Sequence, residues 1–173
     1  MSDETGLTHL DEQGAARMVD VGQKPDTQRE AVAECFVPLK PATVEALRAA
    51  TLAKGDALQV ARIAGIMGMK RTPDLIPLCH PIAITGTNVD LDLRDDGARI
   101  EASARFHGKT GVEMEAMTGA VVTALTLIDM VKGIERGVEI QRVRLLSKTG
   151  GKSGDWTAEE GFVSPPRSPE ASR

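Results

Sequence analysis

The sequence predicts an α+β fold, a ferredoxin-like split β-α-β-β-α-β with an additional helix, in which an antiparallel sheet carries helices packed on one face. Three observations predict it. Two runs of alternating apolar and polar residues, "TGTNVDLDLR" and "ARIEASARFHG", lie back to back with "DDG" at 95–97 between them, the pattern of a hairpin. The stretch "EMEAMTGAVVTALTLIDMVKGIERG" is nearly apolar all round and rich in small residues, which marks a helix buried on most faces. The patterns follow one another as β-α-α-β-β-α-β, and setting one helix aside leaves the split motif.

Each element has its own warrant. "REAVAECFVPL" reads as the first strand. Pro41 suits the first turn of a helix through "ATVEALRAATLAK", because an N–H at that position would have no partner to lose. "GDALQVARIAGIMGMKR" is a second helix, with Asp56 as its cap and Gln59 three residues on, as in a capping box. Val60, Ile63, Ala64 and Met67 form its apolar stripe. Thr72-Pro73 should end it, since proline disfavours the helical conformation in the residue before it. After the hairpin and the long helix, "VEIQRVRLLSKTGG" supplies the last strand. Residues 1–16 show no sustained period and read as a mobile arm, although "ARMVDVGQK" can dock. Residues 158–173 are rich in proline and serine and read as a disordered tail, leaving one domain at 17–157.

Composition narrows the function. With 173 residues, 41% hydrophobic and 27% charged, the chain has enough apolar surface for one core without staples. A net charge of −4 argues against a nucleic-acid partner. With no tyrosine, one tryptophan and three phenylalanines, a bound purine must be held by hydrogen bonds and charge rather than by stacking. Cys35 and Cys79 are isolated, which fits a reducing compartment. No apolar run approaches about 18 residues, and "MSDETG" is unlike a targeting peptide, so the expectation is a cytoplasmic protein with no membrane partner.

The chemistry-bearing residues cluster in a few places. "DLIPLCHPI" sets Cys79 and His80 side by side between Pro77 and Pro81. Adjacent side chains of an extended segment diverge, so a Cys-His dyad is not expected there, and a buried loop is the ordinary alternative. "HGKTG" and "GGKSG" resemble half of a phosphate loop, but the upstream glycine is replaced by Ser103 and by Leu146. Each still offers flexible backbone N–H groups beside a lysine, enough for an anion nest. No closely spaced set of four ligands suggests a metal, so none is expected. Asp129 and Lys132 stand three apart near the end of the buried helix and are placed to pair, because a buried unpaired charge is costly. Glu115 and Asp129 are separated by 14 residues, about 21 Å along a continuous helix. One pocket in one subunit does not span that distance, so an intersubunit site is expected.

"ARMVDVGQK", "KGD", "ARIAGIMGMKRTPDLIPLCHPI", "GKTGVEMEAMTGA", "IDMVK" and "LLSKTGGKSGDW" together resemble the MoaC family, the cyclic pyranopterin monophosphate synthases of molybdenum cofactor biosynthesis. The resemblance spans about residues 7 to 157. It implies a ferredoxin-like subunit and a homohexamer, a trimer of dimers, with active sites between subunits. It also implies a lyase reaction, from 3′,8-cyclo-7,8-dihydroguanosine 5′-triphosphate to cyclic pyranopterin monophosphate and pyrophosphate. Residue by residue, Asp129, Lys132 and Lys54 match catalytic positions. Leu78, Cys79 and His80 match a substrate-contacting stretch, as do Met114 and Glu115, with Glu113 beside them. Lys70, Lys148 and Lys152 would surround the phosphates. Ile128 stands where many relatives have tyrosine and Val131 where cysteine is common. No cofactor is implied, and magnesium assistance to the phosphate step stays open. The rival from another class is a non-catalytic nucleotide sensor, for which a buried Asp129/Lys132 pair would have no use.

Overall fold

In the computed structural model, which describes residues 13–152 and 154–159, the two alternating runs form the hairpin their pattern requires. β2 (Gly86–Arg94) and β3 (Gly97–Gly108) pair antiparallel with Arg94 opposite Gly97, so Asp95 and Asp96 make the turn. Gly97 has φ +153°, and a Cβ there would meet the Val37 carbonyl oxygen. β1 (Thr27–Pro38) pairs with the other edge of β3, and β4 (Gln141–Thr149) with the other edge of β1. A two-residue strand the sequence pattern did not predict, β5 (Trp156–Thr157), adds to β4. The order β2-β3-β1-β4-β5, antiparallel throughout, is the split motif with one extra edge. Most of the expected arm (1–12) and tail (160–173) lies outside the described residues.

α1 (Pro41–Arg48) and α2 (Ala57–Met69) follow β1. α1 stops short of the expected end at Lys54, and its last turn shows why. Ala50 takes φ +51°, Thr51 N–H donates to Ala46 O at 3.1 Å and Ala50 N–H to Leu47 O at 3.2 Å. That pair of bonds is a Schellman cap, made here with alanine where glycine is usual. Lys54 therefore sits on a loop. At the other end, α1 has no side-chain cap of its own. Glu135 supplies one from afar, accepting the Lys40 N–H at 3.1 Å on Oε2 and placing a carboxylate at the positive end of the helix. α2 is capped as its sequence requires, with Asp56 Oδ1 accepting from Gln59 N–H at 3.1 Å. Thr72-Pro73 does end α2, but the chain then makes one more helical turn, α3 (Thr72–Leu75).

The largest correction concerns the buried face of α2. Val60, Ile63 and Met67 are 43%, 57% and 54% exposed, whereas Ala57, Ala61, Gly65, Gly68 and Met69 are buried. α2 lies against α4 (Glu113–Val131) through its smallest residues. A Cβ on Gly65 would meet Thr123 and the Gly119 carbonyl, one on Gly68 would meet Val122, and one on Gly119 would meet Met69. Close backbone approach wins over burial of the larger side chains, because two helices touching through glycine pack their whole length.

α4 closes the core. It covers Ala31, Ala33, Cys35 and Val37 of β1 and Ala98, Ile100, Ala102 and Ala104 of β3 with its own Ala116, Ala120, Ala124, Leu127 and Val131. The Cys35 thiol donates to Ala120 O at 3.4 Å, and burial, then Glu34, pushes its pKa up to about 12. By length and composition α4 could cross a membrane, yet half of it is buried inside this fold. On the opposite face of β1, Glu34 is fully buried between two arginines of the neighbouring strands: Arg99 Nε donates at 2.9 Å and Arg144 Nε at 2.9 Å.

Gly65→Val should lower the unfolding free energy by about 1–3 kcal/mol, since overpacking forces α2 off α4. Denaturant midpoints measure it, and an unchanged midpoint would show that the helices have room to spare.

Candidate active site

Four segments converge at the N-terminal end of α4. The loop after α3 begins with a turn, in which Cys79 N–H donates to Ile76 O at 3.1 Å and Pro77 takes the position proline favours. This presents Leu78, Cys79 and His80. The β3–α4 loop presents Lys109, Thr110 and Gly111, and the first turn of α4 presents Glu113, Met114 and Glu115. The end of β4 brings Lys148, Thr149, Gly150 and Lys152, and residues 19–24 cross the opening.

Between them lie two clefts, of about 330 Å³ and about 620 Å³, which share Lys24, Thr110, Gly111 and Glu113. They are the two ends of one trough. The smaller end carries Cys79, His80, Met114 and Glu115, the larger end Arg29, Lys109, Lys148 and Lys152 with one carboxylate of its own, Glu30. One end therefore offers carboxylate and mixed polar contacts, the other a concentration of cations.

The two glutamates live in different surroundings. Glu113 pairs with Lys148 at 3.1 Å, and a Cβ on Gly111 would fall on the Glu113 carboxylate, so that glycine makes its room. Glu115 is only 3% exposed; burial raises its pKa, its own N–H opposes the shift, and Glu113 adds to it. Burial, then Glu115, also raises the Cys79 thiol, which keeps the sulfur protonated and unsuited to act as a thiolate. His80 lines the cleft, and its Nε2 lies 2.8 Å from Val19 O. At the cationic end, a Cβ on Gly151 (φ +83°) would fall on the Arg29 guanidinium. The Gly150 N–H is already donated to Asp155 Oδ1 at 2.9 Å, so the expected nest at "GGKSG" is partly spent.

A second constellation lies at the far end of α4. Lys54 Nζ donates to Asp129 O at 2.6 Å and to Asp129 Oδ2 at 3.0 Å, while Lys132 Nζ lies 2.6 Å from Asp129 Oδ1. Three residues assigned by resemblance thus meet in space. The expected Asp129–Lys132 pair forms, but its burial does not: the side chains of Lys54, Lys132 and Asp129 are 46%, 62% and 54% exposed. Asp129 and Lys132 stand on the outward side of the last turn, whose Leu127, Met130 and Val131 stay in the core, and the uniform apolar pattern before them concealed that division. Lys132 first, then Lys54, holds the Asp129 carboxyl below the usual carboxylate range. From Glu115 the helix rises about 21 Å to this cluster, so the trough and the clamp are separate within one subunit.

Lys70 is the exposed C-cap of α2 and lines neither cleft. Sequence reasoning left Lys24 and Arg29 out of the site and did not assign Lys109 to it. "ARMVDVGQK" held the signal for Lys24, since a docking segment that ends in lysine brings a charge with it. Among the described residues, no group of three His, Cys, Asp or Glu side chains is placed to hold a metal ion.

The raised pKa of Glu115 gives a signed test. A carboxyl whose folded value lies above its unfolded value helps folding at low pH and loses that contribution as pH rises through the folded value. Glu115→Gln removes the titration. Its Tm should match the wild type near about pH 4 and exceed it at neutral pH; a difference independent of pH would show that the burial is not felt.

Residues 18–151 match the profile described as the MoaC family. A protein of Streptomyces coelicolor named cyclic pyranopterin monophosphate synthase is 58% identical over 151 residues, 87% of this chain and 89% of its own. One of that name from Parvibaculum lavamentivorans is 56% identical over 88% of this chain and 97% of its own. Another, from Brucella ovis, is 51% identical over 89% and 94%. With similarity of this depth over nearly the whole described fold, the chain belongs to the MoaC family.

Proposed function

We propose that this chain is a cyclic pyranopterin monophosphate synthase, a lyase of molybdenum cofactor biosynthesis. Its substrate is 3′,8-cyclo-7,8-dihydroguanosine 5′-triphosphate, and its products are cyclic pyranopterin monophosphate and pyrophosphate. The two-ended trough carries this reading. A purine-derived ring with N–H donors suits the end holding Glu113 and Glu115, and a triphosphate suits Arg29, Lys148 and Lys152 at the other.

The chemistry divides between the trough and the clamp. Opening the purine-derived ring and closing the pterin and pyran rings call for proton transfers, which Lys54 and Lys132 serve while Asp129 orients both ammonium groups. The cyclic phosphate forms when a sugar hydroxyl oxygen attacks the α-phosphorus and the bond to the pyrophosphate oxygen breaks. The hydroxyl proton passes to a base, and the leaving charge is met by the cations of the larger cleft. The side chains supply the charge, so this reading requires no cofactor; the magnesium dependence of the rate tests whether a divalent ion shares the task.

The clamp works on substrate only if a neighbouring subunit brings it to the trough. The exposed apolar face of α2, with Val60, Ile63 and Met67, supports burial against further copies, as in a homohexamer built as a trimer of dimers. Isolated cysteines support a cytoplasmic setting.

Incubating the protein with the cyclised nucleotide and detecting both the pterin and pyrophosphate tests the activity; no product from an intact oligomer would sink it. Lys54→Ala and Lys132→Ala should each lose at least about 10² in turnover with the fold retained. Lys132→Ala and Glu115→Ala subunits, co-expressed, should recover activity that neither has alone, because one site of a mixed pair is then whole. No recovery in a proven mixed oligomer would place each site within one subunit.

A further inference from the structure

The segment 19–24 is held by two polar clasps. Val19 and Val21 are half-buried, while Asp20, Gly22, Gln23 and Lys24 are exposed, so apolar burial fastens it only in part. At one end His80 Nε2 meets Val19 O at 2.8 Å; a carbonyl oxygen only accepts, so Nε2 carries the proton and donates. At the other end Lys109 Nζ donates to Gly22 O at 2.6 Å. Between the clasps the segment turns on itself, with Gly22 N–H donating to Asp20 Oδ1 at 2.8 Å and Lys24 N–H to Val21 O at 3.0 Å. The result is specific: Val19 and Val21 line only the smaller cleft, whereas Lys24 lines both.

We propose that residues 19–24 form a strap over the trough, and that His80 and Lys109 are positioning residues that act through it by holding Lys24 at the junction of the two clefts. There the Lys24 ammonium faces the bond between the ring system and the phosphates of an occupant whose two ends the clefts separate. Lys109 lies on the wall of the larger cleft, but its ammonium is committed to the strap. The kinetic part of this inference rests on the proposed synthase activity; the structural part does not.

Hydrogen exchange on the full-length protein, without substrate, reads the strap directly. Lys109→Met, which keeps the length and removes the donor, should speed exchange of the Gly22 and Lys24 amides by about tenfold or more. Lys109→Arg should restore protection, and His80→Ala should loosen the strap independently, from its other end. In turnover assays Lys109→Met should raise KM about tenfold with kcat within about threefold. In a Lys24→Ala background the same change should add less than about twofold, because its route to substrate is already cut. Unchanged exchange at 22 and 24 in both clasp variants would overturn the strap. Additive KM effects would overturn the positioning role and make Lys109 a direct phosphate contact. A wild-type chain without turnover would instead defeat the synthase reading and leave the exchange result standing on its own.

Discussion

Everything in this subunit is arranged around one stiff helix made largely of small side chains. Because α4 presents alanine to the sheet and glycine to α2, it lies close to both and fills the core without bulky residues. Because it is continuous from Glu113 to Val131, it also acts as a spacer. The carboxylates of the trough stand at its first turn, and the aspartate of the clamp stands in its last. Packing against β1 and β3 removes the freedom to bend that would bring the two ends together. The separation of the trough from the clamp is thus a consequence of how the core is filled.

Much of this was legible in the residues. The hairpin followed from strict alternation around "DDG", the cap of α2 from Asp56 and Gln59, and the long helix from its composition. What periodicity misjudged has a common cause. The stripe of Val60, Ile63 and Met67 satisfies the rule that large apolar residues face inward, but the rule omits the partner surface. Where both helices carry glycine, intimate backbone contact decides which face turns in. The end of α1 was hidden because alanine rarely takes the conformation Ala50 adopts, and only the hydrogen bonds of the cap reveal it.

The site was legible in parts. Lys54, Asp129 and Lys132 are far apart or differently placed in sequence, yet they meet in one clamp, and Glu113, Glu115, Cys79 and His80 meet at one end of the trough. Motifs in the sequence singled out those residues as candidates. They did not show the residues' surroundings. That Glu113 is tied to Lys148 while Glu115 is buried depends on β4 passing beside the helix, a long-range fact no local pattern contains. The exposure of Asp129 likewise depends on which side of α4 its packing partners leave uncovered, since Met130 and Val131 beside it are buried.

Two carboxylates in this fold are each gripped by a pair of cations, and they differ in how much water reaches them. Glu34 is sealed beneath Arg99 and Arg144, whereas Asp129 is 54% exposed between Lys54 and Lys132. Dissolved ions screen charge over about 8 Å at physiological ionic strength and about 3 Å at 1 M, but only where solvent penetrates. Added salt therefore slackens the lysine clamp while the arginine clasp under the sheet holds. The ionic medium acts on this molecule as a dial on its exposed clamp, separate from the integrity of its frame.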